Sequence, residues 1–278
     1  MKSHKSWVRG KGLIRDITLG QYFPGNSIIH KLDPRVKITG AFAYIAALFL
    51  VRDFLGFAVC TAFLGFVVAM SKVPLSFILR GLKPIFIIIM LTFILNMFMT
   101  GGEPIFKLGF LVMTREGVFR AVFLVIRITL LIICSSALTL TTKPISMTDG
   151  IESLLNPLKV FKVPAHELAM MMSIALRFIP TLLEETDKIM KAQMARGADF
   201  ESGNIFRRAK SLIPILVPLF ISAFRIAQEL AMAMEARCYR GGGFRTRMYA
   251  MKIKKIDIIA AVCMLTFLGL IIWEAYLM

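Results

Sequence analysis

The chain has 278 residues, 57% of them hydrophobic, with a mean hydropathy of +0.73; this excludes an ordinary soluble domain, in which apolar residues make up about half at most. Its 34 Lys and Arg against 17 Asp and Glu give a formal net charge of +17, so basic and apolar residues must be segregated along the chain. A balance this basic suits nucleic acid, an anionic membrane leaflet or an acidic protein partner, and the apolar runs described next point away from nucleic acid.

Residues 1–37 are basic and polar and lack the short apolar core of a cleavable signal peptide, so they read as a retained cytoplasmic segment. Within it, Asp33-Pro34-Arg35 reads as a turn and interfacial anchor. A bilayer core of about 30 Å takes around 20 mainly apolar residues as helix. The runs 38–51 and 54–70 are separated only by Arg52-Asp53 and predict a tight helical hairpin. A third run covers 84–99, a fourth covers 118–140 with Arg127 inside it, and the last covers 256–276. The expected organisation is four transmembrane helices within 38–140 and a C-terminal one within 256–278. A charge at the position of Arg127 is costly in lipid, so it must face protein or a wet cavity and find a partner, and the spans offer no obvious acid.

Orientation follows from where the cations lie. Eight Lys and Arg precede the first run, and eighteen fall between Leu140 and Ile256. The N-terminus and the central segment are therefore expected on the cytoplasmic side and the C-terminus outside, a parity that five spans satisfy.

The central segment, 141–255, is long and basic yet heavily apolar. A short helix is expected from about 146–149, broken by Asn156-Pro157. A long helix follows over about 165–196 with Pro180 as a kink, its second half carrying Glu184/Lys188 and Asp187/Lys191 at i, i+4 spacing. A second is expected over about 205–237 with Pro214 and Pro218. Each would be roughly 50 Å long. Together they form a cytoplasmic-side coupling region in an all-α membrane protein.

Neither a metal site nor a disulfide framework is expected. Cys60, Cys134, Cys238 and Cys263 show no C-x-x-C spacing, and His4, His30 and His166 have no second ligand at helical spacing.

The two long helices end alike. One closes with Ala195-Arg196-Gly197 and the other with Ala236-Arg237-Cys238, each with glycine soon after. Arg at a helix C-terminus complements the dipole, and Gly stops the helix. Their duplication suggests more: two matching plugs for two similar acidic pockets, because a guanidinium contacts carboxylates bidentately and a small neighbour permits close approach.

The stretches Gly20-Gln21-Tyr22-Phe23-Pro24-Gly25, His30-Lys31-Leu32-Asp33-Pro34-Arg35, Ala195-Arg196-Gly197-Ala198-Asp199-Phe200-Glu201-Ser202-Gly203 and Ala236-Arg237-Cys238-Tyr239-Arg240-Gly241 resemble the transmembrane coupling subunit, or T component, of energy-coupling factor transporters. The resemblance covers nearly the whole chain. It implies a multi-pass protein of a prokaryotic cell membrane that joins two cytoplasmic ATP-binding subunits to one or more small substrate-binding membrane proteins, the S components. It also implies that Arg196 and Arg237 each dock into one ATPase. The cargo of such systems is usually a vitamin and next most often a transition metal. The second motif departs from the family pattern, with Cys238 where glycine is usual.

No G-x-x-x-x-G-K-[ST] phosphate loop occurs, so the chain is expected to be no enzyme, to need no cofactor and to leave ATP hydrolysis to its partners. Met170, Met171, Met172, Met190, Met194, Met232 and Met234 would make an adaptable surface for unrelated S components, and Pro180, Pro214 and Pro218 would serve as hinges. An intramembrane enzyme would need paired acids, a His cluster or an activated nucleophile at depth. A self-sufficient channel or secondary transporter would show inverted repeats or polar broken spans. A lipid-binding scaffold would leave the duplicated tips unexplained.

Overall fold

The computed structural model describes residues 22–51, 53–101, 104–108, 111–161, 164–198, 200, 206, 210–239, 241 and 253–277. In chain order its elements are α1 (Ile28–Lys31), α2 (Pro34–Leu50), α3 (Phe54–Ser71), α4 (Leu75–Arg80), α5 (Phe86–Met99), strands β1 (Pro104–Leu108) and β2 (Leu111–Thr114), α6 (Arg115–Thr141), α7 (Pro144–Leu155), a 3₁₀ turn (Asn156–Phe161), α8 (Ala165–Ala195), α9 (Ile213–Ala236) and α10 (Lys255–Leu277). They fall into two compact units, one built from the described residues of 20–154 and 249–278, the other from those of 155–248.

The start of the first unit is fixed by capping. Ser27 accepts the His30 N–H at the head of α1, and Asp33 accepts the Arg35 N–H at the head of α2. Pro34 occupies the first turn of α2, where its missing N–H costs nothing. The expected turn at Asp33-Pro34-Arg35 is therefore a helix start. Asp257, only 1% exposed, takes the Asp33 N–H on Oδ1 and the Lys254 N–H on Oδ2, both at 2.7 Å. One carboxylate thus ties the beginnings of α2 and α10 together, through charge-assisted bonds about twice as strong as neutral ones.

Helices α2, α3, α6 and α10 enclose the core, where Leu48, Phe57, Cys60, Leu130, Phe267 and Ile271 are buried. Tyr44, Phe63 and Phe267 stack with ring centroids 4.3–6.2 Å apart. Where α5 meets α6, a Cβ on Gly117 would lie 2.8 Å from the Met97 carbonyl, so only glycine permits that approach. Thr114 caps α6 by accepting the Gly117 N–H and donates to the Thr100 carbonyl, anchoring the β1–β2 hairpin. Among the described residues, that antiparallel hairpin departs from the expected all-helical chain.

The partner of Arg127 is not an acid. Its Nη2 donates to the Val51 carbonyl at 2.8 Å, at the C-cap of α2, and the guanidinium lies 5.8 Å and 5.5 Å from the ring centroids of Phe49 and Phe57. The negative end of a helix dipole and two aromatic faces hold a cation that lipid would not.

The outward faces carry large apolar side chains: Phe54 on α3, Ile87 on α5, and Leu265 and Trp273 on α10 are all 68–76% accessible except Leu265 at 67%. Water would oppose this surface, and acyl chains accept it. Inside the bilayer such helices associate by close packing more than by exclusion of water. The protein is an all-α membrane protein.

Among the described residues, five helices are long and apolar enough to cross a membrane: α3, α6, α8, α9 and α10. The expected number was five, but the membership differs. Helices α2 and α5, with 17 and 14 residues, are about 26 and 21 Å long, whereas α8 and α9 qualify by length and composition. A helix lying along a membrane with one broad apolar face can meet the same criteria as one that crosses it.

In the second unit, α8 runs unbroken through Pro180 for 31 residues, about 46 Å. Helix α9 spans 24 residues, about 36 Å, from Ile213 to Ala236; Phe206, Lys210 and Ser211 ahead of it are helical too, and 201–205 and 207–209 lie outside the described residues. Pro214 sits in the first turn of α9, and Pro218 lies inside the helix. The expected stop at Asn156-Pro157 is a 3₁₀ turn, a tighter continuation of α7.

Candidate functional site

The two tips share one backbone design. At the end of α8, the Gly197 N–H bonds the Met194 carbonyl and the Ala198 N–H bonds the Gln193 carbonyl, both at 3.0 Å. At the end of α9, the Cys238 N–H bonds the Glu235 carbonyl at 2.8 Å and the Tyr239 N–H bonds the Met234 carbonyl at 3.0 Å. Each is the paired 5→2 and 6→1 arrangement of a Schellman cap. Arg196 and Arg237 are the C-cap residues, with φ/ψ of −87°/7° and −93°/16°. The residue after each lies in the left-handed region, Gly197 at φ +87° and Cys238 at φ +57°.

Ala195, Arg196, Gly197, Ala236, Arg237 and Cys238 are all exposed. Among the described residues neither tip guanidinium forms an ion pair. Each tip thus presents a cation on a rigid turn with a small neighbour on either side. Asp199, the stretch 201–205, Arg240 and Gly242-Gly243 lie outside the described residues.

Helices α8 and α9 pack around an apolar groove of about 290 Å³, lined by Ile174, Phe178 and Leu182 on α8 and by Ala223, Leu230 and Met234 on α9. The Tyr239 hydroxyl donates to Met170 Sδ at 3.1 Å, placing the second tip beside the first turns of α8. Arg237 therefore sits at the opposite end of the pair from Arg196, on the order of 40 Å away along α8. The tips do not project side by side.

The methionines divide. Met171, Met172 and Met232 are exposed, at 55%, 43% and 62%. Met170 is half-buried under Tyr239, and Met234 lines the groove. All five belong to the end that carries Arg237, while Met190 and Met194 belong to the other. Pro180 and Pro218 each remove a helical N–H, freeing the carbonyls of Leu176 and Pro214 from their usual partners. Lys188 pairs with Glu185 at 3.6 Å, in place of the expected Glu184. Among the described residues no group of His, Cys, Asp and Glu could hold a metal ion, and the four cysteines are free.

A family model described as "Cobalt transport protein" matches residues 25–250. The chain is 60% identical over 255 residues to the energy-coupling factor transporter transmembrane protein EcfT of Clostridium kluyveri, covering 91% of this chain and 94% of that protein. It is 58% identical over 247 residues to the protein of the same name in Thermosediminibacter oceani, covering 89% and 93%, and 51% identical over 236 residues to that of Bacillus subtilis, covering 84% and 89%. The chain belongs to the EcfT family of energy-coupling factor transporter transmembrane proteins. As a member of that family it is a multi-pass membrane component of a transporter, and its relatives are named as transmembrane proteins and not as enzymes.

Two features of this EcfT-family chain escaped the sequence. One is Asp257, a lone acid at the head of an apolar run, whose role depends on a main-chain N–H 224 positions away. The other is Tyr239, whose place in the second motif gave no sign of a contact with Met170.

Proposed function

We propose that the chain is the coupling subunit of an ATP-driven importer of the energy-coupling factor type, with Arg196 and Arg237 each docking one cytoplasmic ATP-binding subunit and the α8–α9 pair carrying the motion to a small substrate-binding membrane protein. The observation that carries this reading is the duplicated cap: two exposed arginines on identical backbone turns at opposite ends of one helix pair. Two equal sites about 40 Å apart along a helix suit two equal partners. Guanidinium–carboxylate pairing gives each contact bidentate geometry.

Closure of the two ATP-binding subunits would draw the arginines together. The helices, yielding where Pro180 and Pro218 interrupt their hydrogen bonding, would then change the groove between them. Met171, Met172 and Met232, with flexible thioethers on an open surface, would meet the S component, and Met170 and Met234 would back them. In this reading the N-terminus and the 141–255 region face the cytoplasm and the C-terminus lies outside. The cargo is the business of the S component.

The test is a detergent pull-down of the full chain beside the Arg196→Ala/Arg237→Ala double variant, with quantitative mass spectrometry. The wild type should retain two ATP-binding subunits and small membrane proteins, and the double variant should lose the ATP-binding subunits at least a hundredfold while keeping the membrane proteins. Equal retention of ATP-binding subunits by both would sink the docking assignment.

A further inference from the structure

We propose that the first unit carries a binding site for an anionic phospholipid, with one acyl chain in the cavity among α1, α2, α3, α6 and α10 and the phosphate at Lys37. The cavity measures about 360 Å³, within the roughly 300–1,000 Å³ range of small-ligand pockets. Its lining is apolar apart from a few groups, nearly all of which are already satisfied. The Tyr44 hydroxyl donates to the Cys60 carbonyl at 3.2 Å, Ser71 Oγ to the Val68 carbonyl at 2.6 Å and Thr141 Oγ1 to the Ala137 carbonyl at 2.7 Å.

Lys37 is the exception. It is only 9% exposed, and its Nζ donates to the carbonyls of His30 at 3.3 Å and Thr141 at 3.0 Å. An ammonium has three hydrogens, so one donor remains at the edge of the cavity. Among the described residues no carboxylate lies within ion-pairing distance of it. The nearby acids are engaged elsewhere: both Asp257 oxygens accept main-chain N–H groups, and Asp33 accepts the Arg35 N–H and faces its guanidinium at 4.0 Å.

A buried cation at the head of an apolar cavity calls for an amphipathic anion. Several more cations border the lining residues in the chain: Lys31 beside Leu32, Arg35 beside Val36, and Lys254 and Lys255 ahead of Ile256. Asp33 and Asp257 are the acids that act on Lys37, and with them this set of five cations keeps a positive balance. A phosphodiester offers several acceptor oxygens to such a collar, and the rim residues Ile28, Phe66 and Ile259, 50–63% exposed, are apolar enough to lie against the second acyl chain.

Gly40, in the cavity wall, leaves the space open. A Cβ built there meets no atom within 4 Å, so a larger side chain can enter the cavity without moving its neighbours. Gly40→Leu should therefore fold, aided by the better helix propensity of leucine, and yet occupy the room of the acyl chain.

The experiment is native mass spectrometry of the full chain, stripped by repeated detergent exchange and then offered phosphatidylglycerol or phosphatidylcholine of the same acyl composition. The wild type should retain one phosphatidylglycerol with at least tenfold preference over phosphatidylcholine. Gly40→Leu should weaken retention of both lipids at least tenfold, and Lys37→Gln, which removes the charge and keeps a donor, should abolish the preference. Equal retention of the two lipids by the wild type would overturn the proposal. So would undiminished phosphatidylglycerol binding by Gly40→Leu, or an unchanged preference in Lys37→Gln.

Discussion

The two Ala-Arg tips close with the same pair of backbone hydrogen bonds, yet one places glycine and the other cysteine at the left-handed position. For an L-residue that conformation costs roughly 1–2 kcal/mol, and for glycine almost nothing. The second tip adopts it regardless, held by the same 5→2 and 6→1 bonds and by Tyr239 reaching Met170. The shape of the tip is thus a property of the cap, and glycine only makes it easier to form. What both tips share besides the cap is the Ala-Arg pair, with the arginine at the C-cap.

Reversing the charge is the strongest way to break this comparison. Arg196→Glu and Arg237→Glu should each reduce retention of one ATP-binding subunit at least tenfold in pull-downs, by similar factors if the sites are equivalent; a tenfold gap between them would make the tips functionally unequal. The next effect concerns the turn itself. Gly197→Val should cost the first tip about 1–2 kcal/mol, read as faster hydrogen exchange at the Ala198 amide; unchanged exchange would mean that the cap tolerates any residue. Cys238→Gly should act the opposite way, slowing exchange at the Tyr239 amide by an amount worth about 1 kcal/mol and leaving ATPase retention intact. Tyr239→Phe should be the mildest, about 0.5 kcal/mol, visible as slightly faster exchange in the last turn of α9 and nothing at the tip of α8.

Much of this molecule was legible from local patterns. The apolar runs gave α3, α6 and α10 within a few residues, and Ala165 to Arg196 read correctly as one helix because its caps and composition are local. The span count came out at five for a partly different set of helices, since α8 and α9 are long and apolar enough to cross while α2 and α5 are short. The β1–β2 hairpin was missed because five and four residues carry too little periodicity to stand out from a loop.

The sequence by itself determined the solvent, the helices and the identity of the two tips, because hydropathy, capping and charge act over a few residues and leave their marks there. Tertiary structure alone decided that α8 and α9 run antiparallel and send their arginines to opposite ends. It alone assigned Arg127 to a helix end and two rings, and Asp257 to the start of α2. It alone opened a cavity at Gly40 beside a buried Lys37. Those outcomes depend on which helix faces meet, and that is settled by packing between segments tens to hundreds of residues apart, for which no local pattern carries the information.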